Sequence, residues 1–380
     1  MAFVIGALTC AAFAGFLYLL LRALLTIRTR LIKDRDHSQY ALTPTPEKAP
    51  LPDPYSAIVP LLNFDWRSTP PIKIRPFKPK YHLTMALETI PLSELIEIDD
   101  TFLDRLALRR QITPQHHQET VACNRIAIPA ARELYSWILG TYLPTRFPAM
   151  YEVRDGSLYS KATHELLPLR SGSGMSALTA LTASVDTDFL ILLPRTTPEG
   201  AEIYHLEAFA TCFPSGFSTF SKLGLPLADI HGPVPGYKDK LEKSMDRFFS
   251  RLEKGRCVKR TNWQVTTNDV LFATAGNHMH VDTQERGESE VEVQKLRDEV
   301  VIDDCRLRCE RQTLHRLPET GALVFAFKTY LYTLQEVKDE GLGEVLAEAI
   351  EGLGKGSVSG MEVYKRGVVW GEKVKTFLRS

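Results

Sequence analysis

The chain has 380 residues, enough to bury a substantial hydrophobic core in one large domain or two small ones. Lysine plus arginine equals aspartate plus glutamate at 46 each, and no long run of one sign occurs. The basic footprint of a nucleic-acid-binding protein is therefore missing, and we expect no nucleic-acid partner.

The N-terminus carries the most apolar segment. From Ala2 to Leu21 the chain is uncharged and nearly all apolar, which is long enough to cross a hydrocarbon layer of about 30 Å. A cleaved signal peptide is the alternative, but no lysine or arginine precedes the run, which exceeds the usual 7–15 residues or so. We predict a single transmembrane anchor over residues 1–27. The positive-inside rule then places the following domain in the cytoplasm, with the endoplasmic reticulum as the expected membrane; the basic residues concerned are Arg22, Arg28, Arg30, Lys33 and Arg35.

Composition divides the rest of the chain. Six prolines between Ala41 and Pro60 predict an extended, semi-rigid linker over residues 28–62. The globular domain is expected over residues 63–337. Residues 338–380 are rich in glycine and predict a loosely packed C-terminal extension.

Hydrophobic periodicity predicts the elements of the domain. In chain order they are a helix over Pro129–Leu139, strands Asp188–Leu193 and Ile203–Ala210, a long amphipathic helix over Gly236–Lys254, and strands Cys257–Thr266, Leu307–Leu314 and Leu323–Leu331. The first two and last two strands flank turn sequences, so each pair predicts a hairpin. Hairpins separated by a long helix predict an α+β fold, with an antiparallel sheet and helices on one face.

The common catalytic and metal-binding motifs are missing from the sequence, which has no dinucleotide fingerprint, P-loop, nucleophile elbow or zincin motif. The six cysteines are scattered, so no disulfide framework is expected, and Cys305 with Cys309 lacks the further ligands of a zinc or iron–sulfur site. His278 and His280 could share one face of a strand, but their polar surroundings indicate a solvated loop.

Two polar segments remain as candidate sites. Two prolines and two glycines between Asp229 and Tyr237 hold His231 rigidly, which suits either a metal or haem ligand or a histidine that ties the loop to the core. Arg311 and Gln312 lie on the predicted strand that begins the second hairpin, and His315 and Arg316 lie where this strand leads into the turn. They form either the solvated face of an edge strand or a cationic wall for a carboxylate.

The ordered set of motifs resembles the haem-dependent oxidative N-demethylase-like family, which has many fungal members. The resemblance runs over about residues 64 to 335 and is carried by Pro71–Met85, Asp229–Tyr237, Ser244–Phe249, Asn262–Trp263 and Glu310–Pro318. It implies a PAS-like fold that holds haem b, activates oxygen and removes a methyl group from a small amine.

The resemblance also implies roles for individual residues. His231 is the first candidate for the axial haem ligand, with its second ring nitrogen expected to meet a backbone carbonyl or an acid, and His82 is the reserve candidate. Arg311 and Arg316 are candidate partners of the haem propionates. One departure from the family is the segment Asp186-Thr187-Asp188, where many relatives carry a Gln-Glu-Asp run. If this run shapes the substrate pocket, the amine specificity differs.

These observations together predict a membrane-anchored haem-dependent demethylase or monooxygenase-like enzyme that acts on an amine or another small organic substrate. The sequence has no flavin, nicotinamide or iron–sulfur motif, so a separate reductase is expected to deliver electrons. The alternatives are a non-catalytic sensor that binds haem or a small ligand in a PAS-like fold, and a structural relative that has lost haem.

Overall fold

Strands from distant parts of the chain form one large antiparallel sheet in the computed structural model, which describes Tyr55, residues 57–279 and residues 290–380. The strands are β1 (Glu88–Ile90), β2 (Val121–Cys123), β3 (Tyr151–Arg154), β4 (Ser157–Ser160), β5 (Glu165–Pro168), β6 (Asp188–Thr196), β7 (Glu202–Ala210), β8 (Cys257–Thr266), β9 (Arg306–Arg316) and β10 (Leu323–Thr333). The large sheet has seven strands in the order β1-β8-β9-β10-β6-β7-β2, and a smaller sheet has the order β3-β4-β5. The α+β class with an antiparallel sheet is confirmed.

Helices lie before, between and after these strands along the chain. They are α1 (Phe102–Gln115), α2 (His117–Thr120), α3 (Ile128–Trp137), α4 (Leu143–Arg146), α5 (Gly174–Ser184), α6 (Leu227–Ile230), α7 (Tyr237–Lys240), α8 (Glu242–Arg251), α9 (Glu290–Glu299), α10 (Leu334–Asp339), α11 (Gly343–Glu351), α12 (Met361–Tyr364) and α13 (Gly367–Arg379). A π-helical turn, Ile138–Tyr142, joins α3 to α4.

Both predicted hairpins are present. Strand β6 pairs with β7, and β9 pairs with β10 from Arg316 opposite Leu323 to Arg306 opposite Thr333. Each turn contains a glycine with positive φ, Gly200 at 83° and Gly321 at 70°, which an L-residue adopts only with strain. The predicted strand Cys257–Thr266 has the same bounds in the structure. It pairs with β9 and continues the sheet.

Helices cover both faces of the large sheet, so the prediction of helices on one face is wrong. On the first face, α1, α3 and α5 belong to a core that includes Ile191 and Val324. On the second face, α8 and α10–α13 belong to a core that includes Leu192 and Leu323. Neighbouring residues of a strand point to opposite faces. Consecutive apolar residues in β6 and β10 are therefore both buried.

The predicted long helix over Gly236–Lys254 is divided into α7 and α8. Leu241, between them, has φ −119° and ψ −36°, outside the regular helical range, although its N–H still donates to the carbonyl of Tyr237. The two short helices together present Tyr237, Leu241, Met245 and Phe249 to the second-face core. The apolar spacing was therefore identified correctly, but the continuity of the helix was not.

The prediction of a transmembrane helix is corrected. Across residues 57–279 and 290–380, the helices are all too short or too polar to cross a membrane. The predicted anchor, residues 1–27, lies outside the described residues, as does nearly all of the predicted linker. We therefore do not retain the assignment to a membrane by a single span, or the cellular location that depended on it.

The chain after Val337 is packed into the second-face core, whereas a loosely packed extension was expected. Trp370 is 1% exposed and Val374 is fully buried. Glycines allow the close approach: a Cβ on Gly352 would lie 2.5 Å from the carbonyl oxygen of Pro79, and one on Gly356 would lie 1.5 Å from that of Tyr81. Gly352 and Gly356 are therefore close-contact positions.

Candidate functional site

A cavity of about 270 Å³ lies on the second face of the large sheet. This volume is close to the lower end of the range of about 300–1,000 Å³ typical of small-molecule sites. Strands β6, β7 and β10 form an apolar floor with Leu190, Leu192, Leu206, Phe325 and Phe327, and helices α7 and α8 add apolar side chains, of which Tyr237, Met245 and Phe249 are the largest.

One end of the cavity is polar. Arg260 and Asn262 of β8 lie opposite Gln312 and Glu310 of β9, and all four side chains line the cavity. Glu310 is only 8% exposed, and its Oε2 accepts a hydrogen bond of 2.8 Å from Nε2 of Gln312. This carboxylate therefore keeps acceptor capacity for a ligand.

Three cationic side chains reach the polar end from separate parts of the chain: Lys222, Arg260 and Lys365. Burial lowers the pKa of Lys222 to about 8, and it also lowers the pKa of Arg260 and of Lys365. Nε of Arg260 is buried without a hydrogen-bond partner in the part of the chain that the structure describes. Lys365 donates to the carbonyl of Trp263 and, at 3.3 Å, to Oδ1 of Asn262.

The charges of the polar end are unbalanced. Among the described residues that line the cavity, three lysine or arginine side chains face one carboxylate, that of Glu310. The excess of basic side chains lies in a largely apolar cavity, where electrostatic interactions are stronger than in water. The cavity therefore favours a ligand that is mainly apolar and negatively charged at one end.

His231 follows α6 and lines the cavity. Its Nδ1 lies 2.8 Å from the carbonyl oxygen of Leu227, and since a carbonyl only accepts, Nδ1 donates. Nε2 of the neutral ring therefore carries the lone pair. Burial lowers the pKa of His231 to about 4, and the Leu227 hydrogen bond opposes this only in part. The ring is accordingly neutral at pH 7, as a metal ligand must be.

His82 is exposed and is not one of the lining residues, whereas its neighbours Tyr81 and Leu83 do line the cavity. Alternation along an extended segment explains this, because it turns every second side chain away. The structure therefore brings His231 to the cavity and leaves the reserve candidate outside it.

The two predicted arginine partners of a carboxylate do not reach the cavity. Arg311 points to the first face, where it donates to the backbone carbonyl of Glu94 and pairs with Glu97 at 3.3 Å. Arg316 donates to the carbonyls of Phe249, Leu252 and Gly321 at 2.7 Å each. Both guanidinium groups are occupied by the protein's own oxygens, so neither is placed to hold a bound carboxylate.

Two further expectations are corrected by position. His278 lines the cavity and packs against Tyr364 with ring centroids 4.6 Å apart, so it does not belong to a solvated loop, while His280 lies outside the described residues. Asp188 does not shape the cavity. Its carboxylate accepts from the N–H groups of Cys212 and Phe213 at 2.8 Å and pairs with the fully buried Arg109 at 2.8 Å.

The family model of the haem-dependent oxidative N-demethylase, alpha subunit-like, matches residues 86–375. The match covers more than half of the chain. The chain belongs to this family. The matched range includes the C-terminal helices that were expected to lie outside the resemblance, and it begins after His82. The family name implies dependence on haem and an oxidative demethylase-like activity.

The lining residues fit the haem that this N-demethylase-like family implies. Haem iron needs only one axial protein ligand, which agrees with the finding that the described residues contain no group of three or more His, Cys, Asp or Glu able to hold a metal ion. His231 offers that ligand, and the fixed Nδ1 is the arrangement usual for metal-bound histidines. The apolar floor suits a porphyrin, and the excess of basic over acidic side chains suits its propionates.

Arg260, Lys222 and Lys365 were missed by the sequence analysis. They lie on β8, on a short 3₁₀ turn, and next to α12, so no local motif contains more than one of them. The detectable signal was the alternation of Arg260 and Asn262 on a strand that was correctly predicted.

Proposed function

We propose that this chain holds haem b in the cavity on the second face and removes a methyl group oxidatively from a small amine or a related small organic substrate. The observation that carries the proposal is the fixed imidazole of His231, whose Nδ1 is committed to Leu227 so that Nε2 is left for iron. The haem would be held without covalent attachment, because the sequence has no Cys-x-x-Cys-His motif.

When bound, haem supplies oxygen activation and the oxidation of the C–H bond next to nitrogen, after which the carbon leaves as an aldehyde. The residues of the chain bind and orient the reactants. Arg260 and Lys222 would pair with the propionates, and Lys365 would add a third basic side chain beside them. The apolar floor excludes water, and Glu310 accepts a hydrogen bond from a donor on the substrate.

Each turnover consumes one oxygen molecule, two electrons and two protons, and releases the demethylated amine, formaldehyde and water. The sequence contains no flavin, nicotinamide or iron–sulfur motif. The electrons therefore come from a separate reductase, which is the partner that we propose.

The test is reconstitution of the purified full-length chain with hemin. We expect a saturable Soret band that shifts on addition of dithionite and then carbon monoxide, and reductant-dependent oxygen consumption with formaldehyde release when small methylated amines are added. No saturable band would reject the proposal. A band without amine-dependent oxygen consumption would reject the demethylase and favour a non-catalytic haem sensor.

Two histidine variants locate the ligand. His231→Ala should abolish the band or shift it, because the axial nitrogen is removed. His82→Ala is the matched control and should leave the spectrum unchanged, since His82 is exposed outside the cavity. An unchanged spectrum in His231→Ala would exclude this residue as the ligand.

A further inference from the structure

Tyr237 lies face to face with His231. The ring centroids are 4.8 Å apart and the ring planes differ by 14°. Tyr237 is itself 2% exposed, so its ring is enclosed on its other sides. The imidazole therefore has two restraints, the hydrogen bond from Nδ1 to Leu227 and the aromatic surface of Tyr237.

The two restraints act on different motions. The hydrogen bond fixes the position of Nδ1, but it still allows the ring to rock about the line joining Nδ1 to the carbonyl oxygen. A nearly parallel aromatic ring stacked with its centroid 4.8 Å away blocks that rocking on one side. Together they define the plane of the imidazole as well as its position, which a hydrogen bond alone does not do.

Tyr237 is held by its own neighbours. Its N–H donates to the carbonyl of Val234 at 3.1 Å, and its hydroxyl contacts Sδ of Met245 at 3.6 Å. The preceding Gly236 has φ 72°, and a Cβ there would lie 2.7 Å from Cγ2 of Val358. The loop therefore brings Tyr237 to His231 along a path that requires glycine at position 236.

We propose that Tyr237 is a positioning residue that sets the plane of the His231 imidazole, and through it the orientation of the axial ligand toward haem. The proposal rests on the proposed function, because it takes His231 as the ligand. The aromatic face carries the effect, since it is the face that stacks on the imidazole, while the hydroxyl contacts Met245.

The experiment compares two substitutions at position 237 in the full-length chain loaded with hemin. Tyr237→Phe keeps the ring and removes the hydroxyl, while Tyr237→Met keeps apolar volume without a rigid plane. We expect the electron paramagnetic resonance g-values and the haem affinity of Tyr237→Phe to match the wild type. In Tyr237→Met we expect broadened g-values and haem affinity lowered about 10- to 100-fold, the usual effect of losing a contact that orients a metal ligand.

A second measurement needs no haem. In the haem-free chain the ring resonances of His231 should broaden in Tyr237→Met, because the imidazole is no longer restrained against rocking, and should keep their wild-type line width in Tyr237→Phe. A wild-type spectrum, affinity and line width in Tyr237→Met would overturn the proposal, as would equal changes in Tyr237→Phe. If His231→Ala alters the spectrum and Tyr237→Met does not, only the role of Tyr237 fails. If His231→Ala has no effect, the proposed ligand fails as well.

Discussion

Replacement of Arg260 by methionine should weaken haem binding and, at the same time, stabilise the haem-free protein. The two effects have one cause. Nε of Arg260 is buried with no partner among residues 57–279 and 290–380, and burial lowers the pKa of the guanidinium. The charge is therefore costly to the fold until an anion pairs with it.

The magnitudes follow from these contacts. A hydrogen bond to a charged group contributes about 1.5–3 kcal/mol, so loss of the propionate contact should lower haem affinity about 10- to 100-fold. A buried polar group without a partner costs about 1–3 kcal/mol. Removing it should raise the free energy of unfolding of the haem-free chain by about 1 kcal/mol, equivalent to roughly 2–4 °C in melting temperature.

Arg316→Met is the matched control. Arg316 donates to three backbone carbonyls and to the hydroxyl of Tyr204, so its removal leaves several acceptors unpaired. We expect the free energy of unfolding to fall by about 3–5 kcal/mol, while the charged side chains that line the cavity are unchanged. Hemin titration measures affinity, and thermal unfolding of the haem-free variants measures stability. An Arg260→Met chain that melts below the wild type yet binds hemin normally would refute the reasoning.

Three further outcomes are expected. The depressed pKa of His231 keeps the ring neutral from pH 6.5 down to about 4, so bound haem should survive acidification to near pH 4. The free energy of unfolding of the haem-free chain should fall across the same pH range, because the unfolded chain takes up the proton there. Half-release of haem near pH 6 in a spectroscopic titration would contradict this prediction. Lys222, with a pKa of about 8, pairs with an anion only when protonated, so haem affinity should fall as pH rises above 8, and Lys222→Met should remove that dependence in the same titration. Gly356→Ala would place a Cβ 1.5 Å from the carbonyl oxygen of Tyr81 and should lower the free energy of unfolding in urea by about 3 kcal/mol or more, whereas Gly172→Ala, with no atom within 4 Å, should change it by less than about 0.5 kcal/mol.

Turn chemistry and apolar runs were sufficient to predict the hairpins β6–β7 and β9–β10 and the strand β8. The sequence also indicates that both sheet faces are buried, because Phe189–Leu193 is a continuous apolar run and not an alternating one. Interpreted as an ordinary strand of a sheet with one covered face, the run does not predict the helices on the first face.

The site was only partly predictable, because alternation tells which residues share a face and not which face carries the cavity. His231 was found because prolines and glycines fix its loop. On β9 the resemblance implies Arg311 and Arg316 as partners of the propionates, whereas Glu310 and Gln312 are residues that line the cavity. Which β9 residues reach the cavity depends on tertiary packing, and hydrophobic periodicity does not predict it.

The close packing of the C-terminal segment is not predicted by its sequence, for a related reason. Glycines are enriched both in loosely packed segments and where two backbones meet, and composition does not separate the two cases. Here Gly352 and Gly356 bring the C-terminal segment against Pro79 and Tyr81. That contact places Lys365 at the polar end of the cavity, where it is 3% exposed.

The zero net charge of the chain does not predict the excess of basic side chains in the cavity. That local excess has a physical consequence. The whole chain is neutral, with 46 residues of each sign, while the cavity brings three basic side chains to one carboxylate. Burial lowers the pKa of all three basic groups, so the haem-free protein keeps them charged only at a cost that an anionic ligand offsets. Since Lys365 belongs to the C-terminal segment and Arg260 to the sheet, binding of such a ligand stabilises the contact between the two. Cofactor binding and packing of the C-terminal helices should therefore be coupled. Hydrogen exchange in α12 and α13 should slow when hemin is added to the wild type. It should not slow in Arg260→Met at the same hemin concentration.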